Sequence, residues 1–435
     1  MKIIENPETD RWKELVSRVA INSNAVELRV MEIISQVKRY GDSAVLSYSA
    51  KFDGVIPDSL FVDKEYLKSC EDLVSEDLKN AIEIAASNIE MFHKAQLPED
   101  IDISTIPGVR CVRRSFPIER VGIYIPGGGA PLFSTVLMLA IPAKIAGCKE
   151  VVLFTPPDIN GKINPVIAYT ASRFGVSTIV RVGGAQAVAA MAYGTESIKK
   201  VDKIFGPGNQ YVTTAKQLVS KDVAIDMAAG PSELMVIADK CANPVFVAAD
   251  LLSQAEHGCD SQVVLLTNER ELANSVINEL ISQRRKLSRK KEIESSLSRS
   301  LAIIFKTMQE VIDFANSYAP EHLIISTENP WSVSSEIRSA GSIFIGNYSP
   351  ESLGDYASGT NHTLPTGGWA RSASGLCTES FMHQITYQEI TEEGLENLGN
   401  AVSIMAENES LDGHKNAVDI RMKEIRERRA GKQKQ

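Results

Sequence analysis

The fold class predicted for this chain is α/β: two incomplete Rossmann-like, doubly wound units facing a cleft, with helical N-terminal and C-terminal extensions. Two observations predict it. From residue 118 short apolar, β-branched runs alternate with helical stretches, and after a break near 224–233 the alternation resumes. The runs are apolar along their length, as in parallel strands covered by helices on both faces.

The elements follow in order. Residues 9–40 and 75–97 carry helical spacing, and Ser75 followed by Glu76 and Asp77 reads as an N-cap with acids in the first turn. The first α/β run is VGIYIP (121–126), a helix from about 132, EVVLFT (150–155), a helix near 165, TIVRV (178–182), a helix from about 185, KIFG (203–206) and a helix from about 208. The second is LMVIAD (234–239), a helix ending near His257, SQVVLLT (261–267), the ELANSVINELI helix, AIIF (302–305), a helix near 308–318, HLIIS (322–326), a short helix and SIFIG (342–346). Residues 347–375 are rich in Gly, Ser, Thr and Asn and read as a long loop of functional character. Residues 388–425 read as helical. The implied domains are an extension over 1–25, one α/β domain from 26–120 and 235–380, a second over 121–234, and a tail over 381–435. Ligands are expected beyond the carboxyl ends of the strands.

Composition narrows the function. With 435 residues, 43% hydrophobic and 23% charged, the chain is an ordinary globular protein. A net charge of −9 lacks the basic footprint of a nucleic-acid binder. The N-terminus has no apolar signal core, and the longest apolar run, Val136 to Ile145, is too short to span a bilayer. A cytoplasmic protein without membrane or nucleic-acid partners is expected. The six cysteines form no CxxC pair, so free thiols are expected.

Five of six histidines fall after residue 250, four of them near a carboxylate or amide. Imidazole beside oxygen ligands suggests a metal site, an acid–base site, or both. Gln254 and His257 share one helix face, as two ligands of one ion would, although taken alone a capping or core histidine is the favoured reading. Glu321-His322 opens a strand, where a carboxylate can orient an imidazole as base. Asp355 and His362 lie in the polar loop, where an Asx-turn is the bland alternative. His414 reads as a surface histidine, and His93 and His383 as structural. Glycine clusters at 126–129, 183–184, 206–208 and at Gly230 suit a phosphate or cofactor near a helix N-terminus, but none fits GxGxxG or a Walker loop.

Long segments resemble the L-histidinol dehydrogenase family. They are VGIYIPGG (121–128), RVGGAQAVAAMAYGT (181–195), KIFGPGNQYVTTAK (203–216), DMAAGPSE (226–233), DLLSQAEHG (250–258), YAPEHL (318–323), GDYASGTNHTLPTGG (354–368) and LDGHKNAV (411–418). The resemblance implies a zinc- and NAD-dependent four-electron oxidation of L-histidinol to L-histidine through L-histidinaldehyde, the last step of histidine biosynthesis. It implies one Zn2+ per subunit on Gln254, His257, Asp355 and His414, with His322 as general base and Glu321 activating water. Ser232, His362 and Glu409 would contact substrate beside Gln254, His257, His322, Asp355 and His414, while Tyr124, Gln186 and Asn209 would contact NAD. It further implies a homodimer in which Glu409 and His414 serve the neighbour's site. Cys259 stands where proline is common in the family and is expected to be a bystander. Two other readings remain open: a related zinc- and NAD-dependent alcohol dehydrogenase acting on another amino or sulfonated diol, and a non-catalytic metal-binding or scaffold protein.

Overall fold

The computed structural model describes residues 1–18, 23–127, 130–227 and 230–432. Gly128 and Gly129 of the first glycine cluster, and Ala228 and Ala229 of the 226–233 motif, lie outside the described residues. The chain opens with β1 (Lys2–Glu5) and four helices, α1 (Thr9–Leu15), α2 (Ser23–Phe52), α3 (Lys64–Asp72) and α4 (Glu76–Lys94). Two strands follow, β2 (Ile101–Ile106) and β3 (Val109–Pro117). The first alternating run is β4 (Arg120–Tyr124), α5 (Phe133–Ala146), β5 (Glu150–Phe154), α6 (Pro165–Arg173), β6 (Thr178–Val180), α7 (Gly184–Tyr193), β7 (Lys203–Phe205), α8 (Gln210–Val219) and β8 (Ala224–Ile225). The second is β9 (Glu233–Ala238), α9 (Pro244–Ala255), β10 (Gln262–Thr267), α10 (Arg270–Gln283), α11 (Lys290–Arg299), β11 (Leu301–Ile304), α12 (Met308–Tyr318), β12 (His322–Ser326), α13 (Pro330–Ser334) and β13 (Ser342–Ile345). A short helix α14 (Glu351–Tyr356), a strand β14 (Met382–Ile390) and helices α15 (Glu392–Asn408) and α16 (Asp412–Lys432) complete it.

Local chemistry sets several of these boundaries. Ser75 caps α4 by accepting from the Leu78 N–H, and Asn243 caps α9 ahead of Pro244, whose missing N–H costs nothing at the first helical position. Thr307 and Glu310 form a reciprocal capping box at the start of α12.

The chain divides into two compact units: residues 1–96 with 118–381, and residues 97–117 with the chain from Met382 onward. This differs from the four segments read from the sequence. Helix α2 packs on α7 and α8, α3 on α6 and α4 on α5, so the early helices cover the first sheet. Strand β3 pairs instead with β14, and β2 pairs with β3 on its other side.

The larger unit holds two parallel sheets. The first runs β6-β5-β4-β7-β8 and the second β1-β11-β10-β9-β12-β13. Setting β1 aside, the two have one order: third, second, first, fourth, fifth strand of the run. Strand order therefore reverses between β4 and β7, and again between β9 and β12. Strands β9 and β12 are buried at every residue. Apolar clusters cover both faces of the second sheet, with α9, α10 and α11 on one and α1 and α12 on the other.

The smaller unit is an antiparallel sheet, β14-β3-β2, followed by the helical hairpin of α15 and α16. Gly399 packs against Met422 across the hairpin, and Glu392 and Glu396 pair with Arg428 and Arg429. Among the described residues, no helix is long and apolar enough to cross a membrane.

Candidate functional site

The second sheet's site is built on the amino ends of two adjacent interior strands, β9 and β12, not on the carboxyl ends expected from the sequence. Glu233 is the first residue of β9 and His322 the first of β12, and His322 aligns with Leu234 in the pairing register. The first residue of an interior strand still has backbone groups to offer side chains. Here the Glu233 N–H donates to Glu321 Oε2 at 2.8 Å, and the Glu233 carbonyl lies 3.1 Å from His322 Nδ1. One residue's backbone thus holds both Glu321 and His322.

Carboxylates crowd this imidazole. His322 Nδ1 is 3.3 Å from Glu351 Oε1 and 3.6 Å from Glu321 Oε2, while its Nε2 is 3.6 Å from Asp355 Oδ1. Glu321, His322 and Glu351 are all buried. Burial alone would lower the imidazole pKa, but the charges of Glu351 and Glu321 outweigh it and hold His322 well above its ordinary range. Glu351 is pushed up by burial, whereas Asp355 is held low, its own burial outweighed by His322. Two buried polar atoms, His322 Nε2 and Glu351 Oε2, have no hydrogen-bond partner among the described residues.

Helix α9 lines the other side. Gln254 is fully buried in its last turn, and His257 follows just past its C-cap. With its amide turned to satisfy both ends, Gln254 donates to Glu351 Oε1 (2.5 Å) and accepts from the Glu233 N–H (3.0 Å). His257 lies within reach of the Asp355 charge. One turn before Gln254, burial pushes the Asp250 carboxyl up to about 7. His322, Glu351 and Asp355 place one ligand atom each within 4.8 Å of one another, a spacing able to hold a metal ion.

Asp355 lies not in a loop, as read from the sequence, but on α14. Its carbonyl is 2.8 Å from His362 Nδ1, and His362 Nε2 is 3.1 Å from Thr135 Oγ1 of α5. Burial lowers His362 despite the Asp355 charge. Ser232 immediately precedes β9 and is half-buried. Within the larger unit Glu321, His322, Gln254, His257 and Asp355 therefore converge. Glu409 caps the C-terminus of α15 and His414 lies in the first turn of α16; both are exposed residues of the smaller unit. His93 is a buried structural histidine, its ring between the Ile89 carbonyl and the Asn361 amide. Cys259 is a free thiol.

Sequence reasoning missed two participants. Glu351 stands one helical turn before Asp355, and Pro350-Glu351 was the available signal for a helix start. Glu233 was quoted only as the end of a motif.

The carboxyl edge of the first sheet follows the usual rule. It opens into a cleft of about 1070 Å³ lined by Tyr124 at the end of β4, by Gly184 and Gln186 at the start of α7, and by Asn209, which caps α8. The Tyr124 hydroxyl accepts from the Gly184 N–H at 2.9 Å. Gln186 is buried, yet neither end of its amide has a partner among the described residues. A polar group left so is an obvious docking point for a ligand.

Known proteins match this chain over nearly its full length. The histidinol dehydrogenase family model matches residues 16–422. A histidinol dehydrogenase of Bacteroides thetaiotaomicron is 54% identical over 427 residues, covering 98% of this chain and 100% of its own. That of Vibrio parahaemolyticus is 50% identical over 419 residues, covering 95% of this chain and 96% of its own. The crystal structure of histidinol dehydrogenase from Elizabethkingia anophelis superposes with a TM-score of 0.96 at 49% identity, covering 98% of this chain and 99% of that one. This chain belongs to the histidinol dehydrogenase family.

Proposed function

We propose that this protein is the oxidoreductase of histidine biosynthesis that converts L-histidinol to L-histidine by way of L-histidinaldehyde, with two molecules of NAD reduced in turn. Family membership supports the reaction. The observation that carries the mechanism is the buried Glu321–His322 pair, held by one residue's backbone beside Asp355.

Zinc and NAD are the implied cofactors, and the residues present fit both. A buried group of three carboxylates around one imidazole is short of positive charge, which a divalent cation supplies. Gln254, His257 and Asp355 would hold zinc together with His414 of the partner subunit. Tyr124, Gln186 and Asn209 would hold NAD in the 1070 Å³ cleft. When bound, zinc supplies a positive template for the substrate's imidazole and amino nitrogens, and NAD the hydride acceptor.

The chain's own groups do the rest. Ser232 and His362, together with Glu409 of the partner subunit, bind and orient the substrate. With the carboxylate charges that keep His322 protonated offset by bound zinc, the neutral imidazole takes the hydroxyl proton on its unpartnered Nε2 as hydride leaves the carbinol carbon. Glu321 then takes a proton from the water that adds to the aldehyde. After His322 has passed its first proton to solvent, the hydrate loses its second hydride, again with His322 as base, to give the carboxylate. The shared site makes a homodimer part of the proposal.

The test is NADH formation from L-histidinol, expected at about two per substrate consumed. His322→Ala should lower kcat by at least about a hundredfold, within the range that general bases contribute. Removing zinc with a chelator should abolish turnover until the ion is restored. A fully zinc-loaded protein that makes no NADH from L-histidinol would refute the reading. Histidinol in the relatives' names favours this substrate over another amino or sulfonated diol.

A further inference from the structure

We propose that Arg18 is a positioning residue for the Glu321–His322 pair and acts through Glu233. The inference rests on the catalytic roles proposed above and adds to them a component from the N-terminal segment.

The geometry is that of a hub. Arg18 Nε and Nη2 donate to Glu233 Oε1 and Oε2 at 2.8 and 2.9 Å, a bidentate fork on a carboxylate whose side chain is 3% exposed. The same Glu233 Oε1 accepts from the Gly367 N–H at 3.1 Å, in the loop that follows His362. The Arg18 guanidinium also lies over the Tyr318 ring, 3.7 Å from its centroid, and Nη2 reaches the Ala319 carbonyl at 3.4 Å. Tyr318 and Ala319 lead directly into Glu321 and His322. Tyr318 is itself anchored by its hydroxyl, which donates to Gln262 Oε1 at 2.7 Å. Ala319 takes a left-handed conformation (φ 54°), so the turn into the catalytic pair is a constrained one.

Arg18 therefore grips both arms of the catalytic pair. One is Glu233, whose N–H and carbonyl hold Glu321 and His322. The other is the 318–320 segment that presents them. A plain structural ion pair would need only the first contact. Loss of the guanidinium leaves Glu233 buried without its cation and frees its backbone to shift. Displacement of a base by about 1 Å is enough to cost about a hundredfold in rate.

The test uses the full-length zinc-loaded protein with Arg18→Met, Arg18→Ala, Arg18→Lys and Glu233→Gln. Arg18→Met should lower kcat by about tenfold to a hundredfold with KM changed by less than about threefold. Arg18→Lys should fall between, because it keeps the charge and loses the fork. Added guanidinium ion should restore part of the activity of Arg18→Ala. A second readout does not depend on turnover: the side-chain nitrogen NMR signals of His322, assigned by their loss in His322→Gln, should move in Arg18→Met because the Nδ1–Glu233 contact changes. Should Arg18→Met not fold, Arg18→Lys and Glu233→Gln carry the same readouts. Variants with lowered melting temperature, kcat per folded molecule within about twofold of wild type and unmoved His322 signals would overturn the proposal. If the wild type makes no NADH from L-histidinol, the functional reading fails, while the NMR signals still decide the clamp.

Discussion

Glu351 shows how much of the site depends on single carboxylates placed where water does not reach. Its Oε1 faces both His322 and the Gln254 amide, and its Oε2 has no partner among the described residues. Such a group is stabilised by a bound cation or by its own proton. Asp53, in the cleft at the carboxyl edge of the first sheet, makes the same point with a consequence for stability. Burial pushes its carboxyl up to about 6 from 3.8, and its Oδ2 has no hydrogen-bond partner among the described residues. Because the folded-state value is raised, the native protein holds this proton longer than the unfolded chain does. The associated stability is complete below pH 3.8 and is lost as pH rises through about 6. Asp53→Asn, which cannot ionise, should therefore be more stable than wild type at pH 8, with the difference vanishing toward pH 4. Urea unfolding of the nucleotide-free protein at the two pH values checks the sign. An Asn variant less stable than wild type at pH 8 would mean that the carboxylate has a partner.

At the scale of elements, the turn from β7 into α8 shapes the cleft of the first sheet and is held from behind by a buried ion pair. Gly206 takes φ 113°, and a Cβ there would meet the Tyr124 carbonyl oxygen at 2.2 Å. Its N–H donates to Asp226 Oδ2 at 2.7 Å, and its carbonyl accepts from Lys216 Nζ at 2.8 Å. Lys216 pairs with Asp226, both side chains being almost fully buried. Asp226→Ala leaves the lysine charge uncompensated and the Gly206 N–H unsatisfied. It should cost about 3–5 kcal/mol, read as a fall in the denaturation midpoint, and weaken NAD binding because Asn209 sits in the same turn. Retained stability would show that the pair is dispensable to the turn. These central strands were legible in the sequence because covering helices force them to be apolar throughout. Other elements were not. Strands β2 and β14 are exposed along almost their whole length and carry no apolar run, so residues 388–390 read as the start of a helix. Helix α14 was hidden in a Gly- and Ser-rich stretch because its six residues are too few to show a helical period. The chemistry of Gln254, His257, Asp355 and the Glu321–His322 pair was readable from their flanking motifs. Their location at the amino edge of β9 and β12 was not, because it follows from which backbone groups the sheet leaves unused.

At the scale of the whole molecule, the smaller unit places Glu409 and His414 on a helical hairpin that exposes Val402, Ile404, Met405 and Ile420, while β14 exposes Ile385, Tyr387 and Ile390. So much apolar surface on one small unit is what a face covered by a partner would present. If that partner is a second copy and each tail completes its neighbour's site, function has a testable parity. His322→Ala disables a site through the chain that holds the base, and His414→Ala disables one through the chain that lends the tail. A mixed dimer of the two then has one doubly damaged site and one with neither lesion. Equal mixing with full exchange places half the chains in mixed dimers, so activity should return to roughly a quarter of wild type. Sites built within one chain would each keep a lesion, and mixing would restore nothing. Each variant is prepared alone and assayed as inactive, the two are exchanged by mild denaturation and refolding, and exchange is verified with differently tagged chains. Recovery that rises with the fraction of mixed dimers supports the shared site. Verified exchange without recovery places all the determinants in one chain and removes the partner's His414 from the zinc site.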